Sequence, residues 1–178
     1  MKNLKIHITD TTNILNKGGI DKIGYNKMVP KHKISKLSII CDGNGTPLNC
    51  ELFKGNIYDS KILEEQLNNK YSISPTLNDQ NKEIFLADSA YDSRKLMEKI
   101  RDKGYKNIII PQNKRNIKNK SLIRKMTESD KKIFKKRNVI ERKNSKIKSY
   151  KRLNTRYDKY SLSYMGFVYL SFIIDIVR

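Results

Sequence analysis

The sequence predicts an α/β protein in which a mixed sheet of about five strands is flanked by helices. Two observations lead to this class. A turn rich in glycine joins two apolar runs early in the chain, which is typical of an antiparallel hairpin. Later, a strand, a helix and a second strand follow one another between residues 83 and 112, which requires parallel pairing. At 178 residues, the chain 1–178 is expected to form a single domain with its own core.

The first strands are predicted from alternation and from turn residues. Lys5–Asp10 alternates, with Ile6, Ile8 and Asp10 on one face of a strand. A Gly-, Pro- and Lys-rich stretch, Asn16–Lys36, breaks this period and is predicted to be a long basic loop. The segments Leu37–Asp42 and Leu48–Gly55 are joined by "GNGTP", so they are predicted to pair as a hairpin capped by Asp42.

The rest of the chain alternates between helices and strands. Glu83–Asp88 is a short apolar run of the kind found in buried central strands, and it ends in an acid. A further strand is predicted at Asn107–Gln112. Helical patterns and caps predict four helices: Asp59–Lys70, Asp92 to Gly104, Thr127 to Tyr150, and an apolar helix buried in the core from Asp158 to Val177.

This order of elements is that of a ribonuclease-H-like fold. In such a layout the strand that carries Asp10 lies beside the strand that ends at Asp88, so the two acids are expected to meet at one edge of the sheet. The long helix from Thr127 to Tyr150 would bring Glu141 to the same edge.

The charge balance points to a polyanionic partner. The chain has 38 Lys and Arg against 18 Asp and Glu, a formal net charge of +20, and the backbone of a nucleic acid is the partner that such a balance favours. A genome-wide bias toward Lys, Asn and Ile would raise the charge in the same way. The N-terminus lacks the apolar core of a signal peptide, and the apolar run Leu162–Val177 is too short for a membrane span. Cys41 and Cys50 are expected to be free thiols.

One acid stands out in the most basic part of the chain. Between Lys131 and Arg152 there are eleven basic residues and a single acid, Glu141. On a helical wheel Glu141 lies beside an inward apolar stripe of Ile133, Ile140 and Ile147. It is therefore predicted to face a site on the sheet, although a solvated basic face is the alternative interpretation of its neighbours.

Three carboxylates from two strands and a helix suit a pair of Mg²⁺ ions. Small, hard cations take oxygen ligands, and two of them activate an attacking hydroxyl and stabilise the leaving oxygen in phosphodiester displacement.

The spacing Arg137, Glu141, Lys148 resembles the signature around the catalytic glutamate of the DDE transposases of bacterial-type insertion sequences. "ITDTT" and "LADSAYDS" resemble the contexts of that family's two catalytic aspartates, and "CDGNGTPL", "GNIYDSK" and "YKRLNTRYDK" resemble further landmarks, all in the family's order. Phe134 stands where the family has a tyrosine, which keeps the ring and removes the hydroxyl.

The resemblance implies roles for eight residues. Asp10, Asp88 and Glu141 would be the catalytic residues and the ligands of Mg²⁺, with Mn²⁺ as a substitute. Contacts with double-stranded DNA, at the element ends and the target, would come from Arg137, Lys148, Tyr91, Arg142 and Lys36. A homodimer on DNA is expected on the same ground. Because the N-terminus lacks a signal-peptide pattern, a location in the cytoplasm, or wherever the genome is accessible, is expected, and a membrane partner is not.

The sequence is compatible with three functions. The first is a transposase core that cleaves element ends and transfers the 3′-hydroxyl into target DNA. The second is a DNA-binding remnant without catalysis, favoured because Met1 lies only nine residues before Asp10 and the usual N-terminal region is expected to be lacking. The third is a ribonuclease-H-like nuclease, which would use the same metal site.

Overall fold

The computed structural model describes residues 5–26, 29–69, 83–115 and 125–177. Its strands are β1 (Lys5–Asn16), β2 (Gly24–Asn26), β3 (Val29–Asp42), β4 (Pro47–Lys54), β5 (Glu83–Leu86), β6 (Asn107–Ile109) and β7 (Thr155–Arg156). Its α-helices are α1 (Asp59–Asn68), α2 (Arg94–Asp102), α3 (Glu128–Phe134), α4 (Asn138–Ser149), α5 (Lys151–Asn154) and α6 (Ser161–Val177). Single 3₁₀ turns lie at Ser89–Tyr91 and Lys135–Arg137.

The five main strands lie in the order β4, β3, β1, β5, β6. Strand β3 runs antiparallel to both β1 and β4, whereas β1, β5 and β6 are parallel. This is the order and the direction of the ribonuclease-H-like fold, so the predicted fold class is confirmed. Among the described residues, two short strands raise the total from the predicted five or so to seven, since β2 pairs with the first part of β3 and β7 pairs with the end of β1.

The prediction of a long basic loop at Asn16–Lys36 is wrong. Strand β1 continues to Asn16, and β3 begins at Val29, so this stretch supplies parts of two strands together with the whole of β2. Ile14 and Ile34 are fully buried and show why the strands extend this far. Lys31 and Lys33 are exposed near the start of β3, whereas Lys36 is buried, so the lysine content of this stretch did not distinguish a strand from a loop.

The predicted hairpin is confirmed as β3 and β4. Asp42 caps its turn as expected, because one carboxylate oxygen accepts the backbone N–H groups of Asn44 and Thr46 at 2.9 and 2.8 Å. Gly45 has a φ of +93°, which a side chain would strain. Cys41 and Cys50 are both free and buried.

Helices cover both faces of the sheet. Leu63 and Leu67 of α1 and Leu96 and Ile100 of α2 pack with Phe85 on one face. On the other face, side chains of α4 and α6 pack against the apolar residues of β1: Ile6, Ile8, Ile140, Ile147, Tyr164 and Val168. This second face is the one toward which the Asp10 side of β1 points, so α4 is held directly over that acid.

Two helix predictions need correction. The single helix predicted from Thr127 to Tyr150 is interrupted, because the 3₁₀ turn Lys135–Arg137 separates α3 from α4. Helix α6 is not buried all round: Tyr164 and Val168 are buried, but Leu162 and Val177 are 83% and 80% exposed. Its apolar residues lie on both faces, and the uniform hydrophobicity of the sequence concealed this difference.

Within the described ranges, no helix combines the length and the apolar character that crossing a membrane requires. A second basic stretch, Asn113–Lys125, for which the composition also predicts a loop, lies largely outside the described residues.

Candidate active site

Asp10 and Asp88 are brought together by the parallel pairing of β1 and β5. In this register Ile8 lies opposite Leu86, and each acid follows two residues later on its own segment. Asp88 begins the 3₁₀ turn after β5, where its Oδ1 accepts the backbone N–H of Ala90 at 2.7 Å. This bond fixes the carboxylate and leaves Oδ2 directed to the neighbouring side chains. The adjacency expected from the sequence is therefore present in the structure.

Glu141 reaches the same edge from helix α4. Ile140 and Ile147 are buried against the sheet and hold the helix in place. Glu141 lies beside this stripe, and its side chain is 51% exposed, so it borders the site from the solvent side. Its position at the boundary of the core agrees with the helical wheel.

The guanidinium of Arg137 lies among the three carboxylates. Its Nη1 is 3.1 Å from Glu141 Oε1, and its Nη2 is 3.5 Å from Asp10 Oδ1 and 3.9 Å from Asp88 Oδ2. Arg137 belongs to the 3₁₀ turn that precedes α4, one turn before Glu141. The three acids thus converge as the sequence predicts, but a positively charged side chain from the same signature occupies the space between them.

Asn144 completes the surroundings of Asp10 and was missed in the sequence. It is buried on α4, and its Nδ2 donates a hydrogen bond of 3.0 Å to Asp10 Oδ2. Its own Oδ1 is buried and has no hydrogen-bond partner among the described residues. The feature of the sequence that could have identified Asn144 is its place three residues after Glu141, on the same face of the helix.

Burial sets the protonation of Asp10. Desolvation raises the pKa of this carboxyl to about 6; the charge of Arg137 opposes the shift, and the nearby Asp88 carboxylate adds to it. The carboxylate form of Asp10 is therefore stabilised mainly by a cation beside it. In this structure Arg137 provides that cation.

Two residues predicted to contact DNA are engaged elsewhere. Tyr91 is 1% exposed and packs in the apolar cluster on the α1 and α2 face. Lys36 is buried on β3, and its Nζ binds Asp59 Oδ1 at 2.7 Å and donates to the carbonyl of Ile57 at 2.8 Å. For both residues the DNA contact stays a prediction.

Two of the other predicted DNA contacts, Lys148 and Arg142, lie on α4, and Arg137 lies in the turn just before it. Lys148 is exposed in the last turn of α4. Arg142 is exposed and lines a groove of about 690 Å³ beside Glu141. Lys135 and Lys136 line the same groove, and Gly43 of the β3–β4 turn forms its far side. This basic groove opens next to the carboxylates.

The donor chemistry of the site fits a divalent cation. Carboxylates from three elements and the unpaired amide oxygen of Asn144 are hard oxygen ligands of the kind that Mg²⁺ and Mn²⁺ take. The arrangement differs from a preformed site. Across the described parts of the chain, no three His, Cys, Asp or Glu side chains are grouped as ligands of one metal ion.

The fold and the converging acids define a ribonuclease-H-like domain with an acidic site at the edge of its sheet. The chain belongs to the transposase DDE domain family, whose model matches residues 6–173. It therefore carries a transposase DDE domain, as the resemblance implied. No curated protein matches the chain.

Solved transposase structures are similar to parts of the chain. A piggyBac transposase synaptic complex with hairpin DNA shares 13% identity at a TM-score of 0.47, covering 69% of this chain and 26% of that one. The Mos1 mariner paired-end complex with Mn shares 16% identity at a TM-score of 0.39, covering 58% of this chain and 34% of that one. A pre-cleavage Mos1 transpososome shares 15% identity at a TM-score of 0.40, covering 58% and 35%. The chain thus spans about a quarter to a third of these relatives.

Proposed function

We propose that this domain cleaves DNA at the ends of a mobile element and joins the freed 3′-hydroxyl to target DNA, with Asp10, Asp88 and Glu141 as ligands of a divalent metal ion. The observation that carries the proposal is the convergence of these three acids, from β1, the end of β5 and α4, around one guanidinium. Membership of the transposase DDE domain family supports the choice of reaction.

Divalent ions at these carboxylates would supply an activated hydroxyl nucleophile and would stabilise the leaving oxygen. The chain's own residues prepare the site. The N–H of Ala90 fixes Asp88 through one oxygen, and the amide of Asn144 orients Asp10 through Oδ2. Packing of Ile140 and Ile147 keeps Glu141 over the same edge of the sheet. Each acid is thus positioned by a separate local contact.

The basic groove beside Glu141 is the proposed path of the DNA backbone. Lys135, Lys136 and Arg142 line it and present positive charges within a few residues of the acid. Phosphate contacts of this kind position the duplex without reading its sequence. Lys148 would extend the contact along α4.

The homodimer implied by the resemblance is part of this proposal. Light scattering of the protein with and without DNA measures its oligomeric state.

The test is the nicking of supercoiled DNA in the presence of Mg²⁺ or Mn²⁺. Glu141→Gln removes one ligand charge with little change of shape. Because a metal ion provides several kcal/mol of transition-state stabilisation, the variant is expected to lose roughly 10³-fold in rate. The matched control is Glu128→Gln, which removes an exposed acid of α3 that pairs with Lys131 one turn away. This control is expected to cut like the wild type.

The other outcomes separate the alternatives. If the wild type binds DNA in a salt-sensitive way and never cuts it, the domain is a binding remnant. If it cuts RNA–DNA hybrids and spares DNA duplexes, it is a ribonuclease-H-like nuclease. If Glu128→Gln loses as much activity as Glu141→Gln, the assignment of Glu141 as a ligand is wrong.

A further inference from the structure

The position of Arg137 raises a question that the proposed function leaves open. A guanidinium between three acids occupies the space that a metal ion would share with the same oxygens. Its nitrogens lie 3.1, 3.5 and 3.9 Å from one oxygen of each acid, so one side chain contacts all three of the proposed ligands. Arg137 therefore either organises these acids for the metal or competes with it.

We propose that Arg137 is an internal counter-ion that neutralises the three carboxylates before a divalent cation binds, that it competes with this cation for them, and that cation binding releases it. The inference rests on the proposed function in one respect, namely that Asp10, Asp88 and Glu141 are the metal ligands. It adds that the metal-free site is a closed ion cluster and that metal binding requires the exchange of one cation for another.

The contacts of Arg137 favour release over permanent attachment. Only the contact with Glu141 is within 3.2 Å, and those with the two aspartates are longer than hydrogen bonds. The Nε atom is buried and has no partner among the described residues, so the guanidinium is incompletely satisfied where it lies. An arginine fixed for structural reasons normally has these donors paired.

The backbone of Arg137 also differs from that of a regular helix. The residue lies in the 3₁₀ turn between α3 and α4, and such an interruption of a helix often marks a hinge. Lys135 and Lys136 of this same turn line the groove beside Glu141. A guanidinium released from the acids would thus start from the wall of the proposed DNA path, where it can bind a phosphate.

The experiment measures the affinity for Mn²⁺ alone, without DNA, by electron paramagnetic resonance of the free ion. Arg137→Gln removes the competing charge and is expected to bind Mn²⁺ about tenfold more tightly than the wild type. The matched control Arg142→Gln removes the same charge from an exposed position near the same groove. It is expected to change the affinity by less than about twofold, because solvent screens it.

The sign of the change decides between the two roles. An organiser would let the acids separate when it is removed, so weaker binding in Arg137→Gln overturns the proposal, as does unchanged binding. An equal increase in both variants also overturns it, since a general charge effect would then explain the result. Arg137→Lys provides a second variant if the first does not fold. It keeps the charge on a side chain that cannot bridge three acids, and it is expected to bind several-fold more tightly than the wild type.

Asp10→Asn separates this inference from the proposed function. If wild-type protein binds no Mn²⁺ that depends on Asp10, the metal site itself is wrong and the exchange fails with it. If binding depends on Asp10 but is not tightened in Arg137→Gln, the metal site stands and only the exchange is overturned.

Discussion

Arg137 and Arg156 both bind carboxylates, and they do so in opposite ways. Arg137 lies beside Asp10 of β1 and has three charged neighbours, long contacts and an unpaired Nε. Arg156 lies on β7 beside the last residue of β1, is fully buried, and donates to the carbonyls of Asp21, Asp158 and Lys159 at 2.8, 3.1 and 3.1 Å. The first is held mainly by charge, whereas the second is held by directed hydrogen bonds.

The second arginine forms a structural clasp, defined here as Arg156 with Asp21 and Ser161. The Asp21 carboxylate accepts from the Arg156 guanidinium and from both the N–H and the hydroxyl of Ser161 at the start of α6. The clasp therefore ties the segment after β1 to β7 and α6. The comparison shows that a conspicuous arginine next to an acid has no single meaning; the number and direction of its partners decide whether it stabilises the fold or serves the site.

The largest expected effect that sharpens this comparison is on stability. Arg156→Met removes a fully buried guanidinium, so the carbonyls of Asp21, Asp158 and Lys159 lose this donor; breaking a buried hydrogen-bond network of this kind costs roughly 2–3 kcal/mol. Urea unfolding is expected to show a loss of this size in the free energy of unfolding. Arg101→Met, at an exposed position on α2, is the control, with a change within about 0.5 kcal/mol. A loss below about 1 kcal/mol in Arg156→Met would contradict the clasp.

The next effect concerns the site itself. Asn144→Ala removes the donor to Asp10 Oδ2, and loss of a partner that orients a ligand typically costs about 10–100-fold in activity or metal affinity. The rate of nicking is expected to fall by that factor while the fold is kept. Asn144→Gln, which retains the amide, should recover part of the rate. The assignment fails if both variants cut like the wild type, or if the loss follows from unfolding alone.

The sequence predicted the layout of the sheet and the meeting of the acids, because both follow from rules about backbone. Parallel strands place Asp10 and Asp88 level with each other, and the helical period places Glu141 beside Ile140. Local pattern was insufficient where a strand begins with consecutive exposed residues, as at Lys31–Lys33 in β3, and where a helix is apolar on both faces, as in α6.

These rules about backbone do not predict which side chains contact each other. Arg137 could be placed near Glu141, yet its direction depends on the 3₁₀ turn that interrupts the predicted helix. The hydrogen bond from Asn144 to Asp10 joins residues far apart in the chain, and periodicity carries no information on such pairs. The clasp likewise depends on a distant partner of Arg156, namely Asp21. The segment "YKRLNTRYDK" was noted only as a landmark of the resembled family, and its sequence did not predict this contact.

The smallest expected effect is on the pH dependence of stability. Folding shifts the pKa values of the acids in the two regions, Asp10 and Asp21, in opposite directions. Desolvation raises the pKa of Asp10 to about 6. For Asp21, desolvation also raises the pKa, but the hydrogen bonds from Ser161 and Arg156 outweigh it and lower the value to about 2. An acid whose pKa is lowered by folding stabilises the protein when it is ionised, that is, above its unfolded value of about 3.9.

The contribution of Asp21 is therefore present at neutral pH and is lost as the pH falls from about 4 toward 2. Because this side chain is partly exposed, solvent screening limits the loss to about 1 kcal/mol or less. Urea unfolding across this range is expected to show a steeper decline for the wild type than for Asp21→Asn, which has no carboxylate to protonate. Asp102→Asn, at an exposed position on α2, is the control and should decline in parallel with the wild type. Parallel curves for the wild type and Asp21→Asn would mean that the charge of Asp21 does not contribute to the stability of the clasp. The contrast with Arg137 would then rest on hydrogen-bond geometry alone.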